Sequence, residues 1–439
     1  MMLREIKRAA RSTVRRLPDE GRALTNAYKQ LTVLRRVAAT KLGAYGAARR
    51  IDSERVYRLD AARIALVTSN DSGAGERPAF DPRTEAGKVY GGPWDRATQR
   101  FDDLPLAKAV RERVTFNADW HETDYYAAQH ARILAGTVAE GGPATQAALD
   151  ERCRRIDRLI DSAREAASAT EGSSPHADRG HPLEIGVNID RNGRYLLNDG
   201  AEALAAAKAL HLATVPAKVR VRHRQWMEFR NFMWSLSEEG GAAQRARHLY
   251  QNPVHPDLQD IPAVHDCEDR FTAARDAVPR RGGALLDIGA NLGYFCHRFE
   301  ELGYECYGVE YEPLIARAAD KIRAAEGKSF EIVTGDLFAV ADDERLRGRH
   351  WEVVLAFNIF HHFLKEKAKH DKLAAWLKGL NVDVMIFEPH RSAERQMAGA
   401  YANYDEREFV DFILSSSVLE YAELVHRCTD GRPVYKLWR

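Results

Sequence analysis

Residues 285–299, LLDIGANLGYFCHRF, constrain the fold more than any other stretch of this chain. An apolar run ends at Asp287, turns through Gly289, Asn291 and Gly293, and reopens with helical spacing. A turn of this kind leaves main-chain amides bare at the mouth of a helix, where a bound molecule can approach them closely. Downstream, ECYGVE, FEIVTGD, WEVVLAFN and VDVMIFE read as further strands, with helical segments at 293–302, 313–326 and 365–379 between them. Such alternation predicts a parallel, doubly wound Rossmann-like sheet. The closing stretch YAELVHRCTDGRPVYKLWR changes register and predicts an antiparallel hairpin about its Asp-Gly turn.

At 439 residues the chain is too long for one ordinary core, so two or three domains are expected. Residues 1–50 carry 13 Lys or Arg against three acids, although the whole chain has a formal charge of only +1. Within that segment Leu3, Ile6, Ala10, Val14 and Leu17 recur at helical spacing, with Arg4, Lys7, Arg8, Arg11 and Arg15 on the other faces. Such a helix can lie on an anionic membrane surface, grip an acidic partner, or pack on its own protein. Near-neutrality argues against a general nucleic-acid coat. Cys153, Cys267, Cys296, Cys306 and Cys428 form no metal or CxxC spacing, so no metal site is expected and the thiols read as reduced. No apolar run approaches the length of a membrane span, and no signal h-region follows the N-terminal charges. The expected setting is cytoplasmic, with residues 1–50 able to reach the inner face of the membrane.

Between these ends, 51–110 is broken by TSNDSGAGERP and GGPWD and reads as short strands with little helix, while 120–168 turns helical. The domains read as 1–50, a mixed and mainly helical 51–170, an α+β segment at 180–226, a helical connector at 227–264, and the alternating unit at 265–439. TEGSSPHADRGHP, 170–182, is the clearest linker. A strand at LEIGVNID, a turn at Asp190–Gly193, a strand at RYLLND, a helix at 201–211 and a strand at AKVRVRH follow it. The Arg-Val alternation of the last, with Arg220, Arg222, His223, Arg224 and Trp226, reads as an edge strand with one solvated face, or as a binding strip for an anionic glycan or nucleic acid. Trp94 and Trp120 beside acids suit interdomain packing or sugar binding.

The alternating sheet with its terminal hairpin resembles the class I S-adenosylmethionine-dependent methyltransferases over residues 265–439. The resemblance implies a seven-stranded Rossmann-like domain using S-adenosylmethionine, with Asp287, Gly289, Asn291 and Gly293 flanking the amino-acid part of the cofactor. It further implies that Glu310 accepts the ribose hydroxyls, that Asp336 with Leu337 meets the adenine, and that Asn358 ends strand four. A dinucleotide dehydrogenase shares the strand, turn and distal acid, but here Asn291 stands at the middle glycine of G-x-G-x-x-G, and dinucleotide folds lack the hairpin. His361 and His362 past strand four, and Glu388 and His390 past strand five, fall where an open sheet places its ligand crevice. A neutral imidazole there can take the proton of a hydroxyl acceptor, or serve only to pack the cofactor. His297 reads as a packing or surface residue, and Tyr401 and Tyr404 as a cover for the acceptor or an ordinary helix start.

Residues 187–226 are similar to the ParB-like and sulfiredoxin-like fold, which implies a phosphate site at a strand, Asp-Gly and helix N-terminus. Asp199-Gly200 is followed here by Ala201, Glu202 and Ala203 where that family carries a His-Arg pair. The segment is therefore read as a scaffold. The whole arrangement is similar to methyltransferase-domain proteins of surface-polysaccharide neighbourhoods. That similarity implies methylation of oxygen on a small-molecule or glycan acceptor, with nucleic acid not expected as a partner. The alternatives are a nucleic-acid or nucleotide-binding protein working through the ParB-like segment, and an RNA methyltransferase, although no NPPY or paired-cysteine signature is present.

Overall fold

The computed structural model describes residues 52–68, 80–96, 98–138, 142–168, 181–239, 247–265, 267–278 and 282–439. The basic segment 1–50, with its membrane reading, and most of the linker lie outside the described residues. Among those described, no helix is long and apolar enough to cross a membrane.

The first half contains β1 (Val56–Asp60), β2 (Leu66–Thr68), β3 (Lys88–Tyr90), β4 (Thr98–Arg100), α1 (Pro105–Phe116), α2 (Asp124–Leu134) and α3 (Gln146–Ser168). Then follow β5 (Ile185–Ile189), β6 (Tyr195–Asp199), α4 (Ala201–Ala209) and β7 (Thr214–His223). The sequence reading put 51–170 and 180–226 in separate units, yet the described strands of both form one sheet, ordered β1-β7-β5-β6-β2-β4 with β3 also on β7. The reason is burial: β5 is buried at every residue and needs neighbours on both edges and both faces. Helix α1, which was not anticipated before residue 110, opens with Pro105 at its first position and buries Leu106, Ala109 and Val110 at helical spacing. It stops at Asn117, whose left-handed φ of 53° ends the ladder. In α3, Leu149, Cys153, Ile156, Ile160 and Ala163 make one buried stripe.

Strand β7 is not an edge. It carries β1 and β3 on one side and β5 on the other. Arg222 is buried and bonded through Nη2 and Nε to Asp257 Oδ1 at 2.6 and 3.0 Å. Tyr57 Oη and Trp226 Nε1 donate to the same carboxylate at 3.1 and 2.9 Å. Burial alone would raise the Asp257 carboxyl, but the Arg222 guanidinium overrides it and holds the group well below its ordinary range. Arg220 is taken by Asp199 at 3.0 Å. Of the strip read as a possible nucleic-acid contact, Arg220, Arg222, His223 and Trp226 are thus bonded internally, while Arg224 stays exposed.

Among its described residues, segment 227–264 is helical only in part: α5 (Arg224–Leu236) gives way to β8 (Glu238–Glu239), β9 (Arg247–His248) and a 3-10 turn at Pro256–Leu258. The second half holds α6 (Cys267–Ala277), β10 (Gly283–Ile288), α7 (Tyr294–Glu300), β11 (Tyr304–Glu310), α8 (Pro313–Ala325), β12 (Glu331–Thr334), α9 (Leu337–Val340) and β13 (Trp351–Phe357). It ends with α10 (Lys367–Gly379), β14 (Val382–Glu388), α11 (Glu406–Ser416), β15 (Tyr421–Arg427) and β16 (Pro433–Trp438). Its sheet runs β12-β11-β10-β13-β14-β16-β15, parallel from β12 to β14 and antiparallel in the β15–β16 hairpin, as the alternation predicted. The order reverses at β10, whose parallel neighbours β11 and β13 diverge at their carboxyl ends and open a crevice.

The halves share a core. Leu292, Leu314, Ala318, Ile322 and Ala325 pack into the same apolar cluster as Trp226, Tyr195 and Leu258. A buried Leu or Ile contributes about 1.5–3 kcal/mol, so these alone rival the net stability of a domain, roughly 5–15 kcal/mol. The hairpin turn of the first sheet is part of this seam: Gly193, at φ 93°, has room for no Cβ, which would meet Trp226 at 2.4 Å and Ala325 at 2.7 Å.

Candidate active site

The glycine turn is built as its residue types require. Gly289, Asn291 and Gly293 have φ of 77°, 51° and 76°, the left-handed region that glycine and asparagine tolerate. The Gly289 and Ala290 amides donate to Val309 O at 2.8 and 3.0 Å, tying the turn to the end of β11. There Glu310 accepts the Asn291 amide on Oε2 at 2.8 Å and the Glu312 amide on Oε1 at 2.7 Å. Burial lifts the Glu310 carboxyl above its usual range, and these amides offset only part of the rise. The start of α7 is held from outside the alternating unit, since Gln251 Oε1 accepts the Leu292 and Tyr294 amides at 3.2 and 3.5 Å.

Above the turn lies a cleft of about 1570 Å³. Ligand pockets usually hold about 300–1,000 Å³, so two molecules can sit here side by side. Gly289, Asn291 and Glu310 line one wall, Asp336, Leu337 and Phe338 another, and Asn358, Ile359, His361 and His362 a third. Asp336 caps α9 by accepting the Phe338 amide at 3.0 Å. Asn358 ends β13 in a left-handed conformation (φ 47°) that lets its side chain bridge two distant segments. Its Nδ2 donates to Tyr250 Oη at 3.0 Å and its Oδ1 accepts from Arg432 Nη1 at 2.9 Å. Tyr250 and Gln251 were not foreseen as site residues: they lie before residue 265, in the segment read as a helical connector.

His361 is 3% exposed and its Nδ1 has no hydrogen-bond partner. Burial, reinforced by His362, His390 and Lys365, pushes its pKa down to about 3, so the ring is neutral. The His362 ring lies 4.1 Å from it, and is itself held below the ordinary range by partial burial and then by Lys365 and Lys369.

Four other candidates are not on the cleft wall. Asp287 lies behind the turn, 2% exposed, with the Cys296 thiol donating at 3.8 Å, and burial pushes its carboxyl up to about 7. Gly293 starts α7 against Phe330. Glu388 is buried on the opposite face of β14, bonded by Arg270 Nε at 2.6 Å, because side-chain direction alternates along a strand. His390 Nε2 meets Asn403 Oδ1 at 3.0 Å and its ring packs on Phe409. Among residues weighed more lightly, His297 is buried against Phe330, Tyr404 bonds His370, Tyr401 is exposed away from the cleft, Trp120 bonds Asp157, and Trp94 packs on Phe80. Glu202, in the first turn after Asp199-Gly200, is held by Arg152 and Arg155 at 2.7 Å each. Away from the cleft, Asp269, His426 and Cys428 bring three metal-type donor atoms within 4.8 Å of one another, with Asp269 also bonded to His426 and to the Thr429 amide.

No family model and no curated protein matches this chain. Solved structures do. The chain is similar to the bifunctional kinase-methyltransferase WbdD, at 15% identity and a TM-score of 0.35 over 44% of this chain and 44% of that one. A second WbdD structure, with its C-terminal bundle ordered, matches at 19% and 0.37 over 44% of this chain and 39% of that one. The N-terminal domain of EvdMO1 with SAH bound matches at 16% and 0.34, over 48% of this chain and 96% of that one. The chain thus spans less than half the length of the WbdD structures it matches.

Proposed function

We propose that this chain is an S-adenosylmethionine-dependent methyltransferase that methylates an oxygen of a small-molecule or glycan acceptor. The observation that carries the reading is Glu310, fixed at the end of β11 by two backbone amides on the wall of a two-ligand cleft, directly beside a left-handed glycine turn. S-adenosylmethionine supplies a methyl group already activated on a sulfonium, so the protein's task is alignment of acceptor, methyl carbon and sulfur.

The residues fit that cofactor. Each Glu310 oxygen keeps a lone pair for a ribose hydroxyl after accepting its amide. Gly289 supplies a bare floor, since a Cβ there would lie 2.8 Å from Ile359. Leu337 and Phe338 offer apolar faces to a base, with Asp336 beside them for an exocyclic amine. On the acceptor side, neutral His361 lines the cleft and its imidazole can receive the hydroxyl proton as the new C–O bond forms. Asn358, held between Tyr250 and Arg432, offers its amide to orient the acceptor.

The test is calorimetric titration with S-adenosylmethionine and S-adenosylhomocysteine, beside Glu310→Ala. Micromolar binding that the variant loses supports the reading and justifies screening sugars and small hydroxylated molecules for methyl transfer. A folded chain that binds neither compound overturns it.

A further inference from the structure

Helix α10 and the residue pair before it carry a feature that methyl transfer alone does not use. Lys369, Lys372 and Trp376 line the cleft from one face of α10, at spacings of three and four residues, and Lys365 lines it from the turn before the helix. Glu366 is the single carboxylate among them, and it pairs with Lys369 at 2.9 Å. Lys365 and Lys372 have no carboxylate partner among the described residues. The contrast within the same helix is Lys367, which does not line the cleft and is matched by Asp371 at 2.6 Å. The lysine row begins beside the histidine pair, since Lys365 acts electrostatically on both His361 and His362. From Lys369 to Trp376, seven helical residues at about 1.5 Å of rise each carry the row roughly 10 Å along α10. Three cations against one anion along this wall attract anions and disfavour cations, while the carboxylates Glu310 and Asp336 lie on the other walls of the cleft. Trp376 and Phe363 add apolar surface for the body of the ligand.

We propose that the acceptor is anionic, carrying a phosphate ester or carboxylate that docks on Lys365, Lys369 and Lys372 while its hydroxyl faces His361. This rests on the methyl-transfer reading of the cleft. An acceptor anion so placed also offsets the cations that surround His361, making the imidazole a better proton acceptor when the site is filled than when it is empty.

Saturation-transfer NMR on the intact chain, saturated with S-adenosylhomocysteine, tests the proposal with glucose 6-phosphate, glucuronic acid and glucose as probes. One or both charged probes give strong transfer that fades as salt rises from about 50 to about 500 mM, where the screening length falls below about 5 Å. Lys365→Gln/Lys369→Gln/Lys372→Gln, which changes solvent-accessible side chains, weakens that binding about five-fold or more. Lys367→Gln leaves it unchanged. A response to the phosphate alone assigns a phosphate ester, and to the glucuronate alone a carboxylate. The proposal is overturned if glucose matches the charged probes, if neither charged probe responds, or if the triple variant binds as the parent does. If S-adenosylhomocysteine itself fails to bind, the methyl-transfer reading falls, and the same probes on the free chain decide the lysine wall separately.

Discussion

Glu388 sits at a strand end where catalytic residues of open sheets are found, yet its geometry is that of a strut, and stability measurements can separate the two roles. Arg270 Nε and Nη2 reach Glu388 Oε2 and Oε1 at 2.6 and 3.3 Å, and Nη2 also reaches Asp430 at 2.9 Å. The side chains of Arg270 and Glu388 are 5% and 1% exposed. Burial lifts the Glu388 carboxyl above its ordinary range and the Arg270 charge offsets only part of this, so the intact pair adds little net stability. Removing one partner is another matter: a stranded buried charge costs about 3–5 kcal/mol. In Arg270→Met the nearest remaining cation to Glu388 is Arg432, whose Nε is 4.0 Å away. That residual attraction puts the expected loss near the lower end, about 3 kcal/mol. Glu388→Leu strands Arg270 less completely, because Asp430 remains, and the expected loss is about 2 kcal/mol. Arg270→Met/Glu388→Leu removes both charges and recovers about 1–2 kcal/mol of the summed losses. Urea midpoints at pH 7.5 measure all three. A Glu388→Gln variant that keeps the parental midpoint but loses methyl transfer would refute the structural role and return Glu388 to the chemistry.

Asp287 makes stability depend on pH. Its carboxyl is raised from about 3.8 to about 7, so its contribution is full below the unfolded value and is lost as pH rises through 7, by at most about 4 kcal/mol. Asp287→Asn therefore gains on the parent in urea midpoint between pH 5 and 8.5; a constant difference across that range would contradict the assignment. His361→Asn lowers the rate of methyl transfer about 10²–10⁴-fold while the dissociation constant for S-adenosylhomocysteine stays within about two-fold. Tyr250→Phe removes the partner of Asn358 Nδ2 and raises KM for the acceptor several-fold at a stability loss of about 0.5–1.5 kcal/mol, readable by steady-state kinetics and urea titration together.

The alternating half was legible because its strands are buried on both faces and appear as continuous apolar runs, Leu285 to Ile288 and Val353 to Ala356 among them. Its turn residues also announced themselves: Gly289, Asn291, Glu310, Asp336, Asn358, His361 and His362 meet in one cleft. Glu388 and His390 occupy the matching strand end, but which face a side chain takes is set by packing against α6 and the hairpin, and no local pattern encodes that. The first half resisted for a different reason. Strands β2 and β4 are three residues long, too short for a period to register, and β2 pairs with β6 across 130 residues, Leu66 beside Leu196. Arg222 read as solvated because the carboxylate that neutralises it, Asp257, lies 35 positions away in an irregular segment.

The amide clamp of Gln251 on Leu292 and Tyr294 bears on how this chain can be cut and recombined. A chimera joined at residue 265, where the alternating pattern begins, would inherit the glycine turn without the acceptor that tethers its two following amides, and Asn358 without Tyr250. The transplantable module therefore starts no later than Tyr250. Because α8 is embedded in the upstream core, even that module would present a bare apolar helix face to any new partner. The upstream half thus acts as a chassis for the cleft, holding its glycine turn through Gln251 and its Asn358 wall through Tyr250.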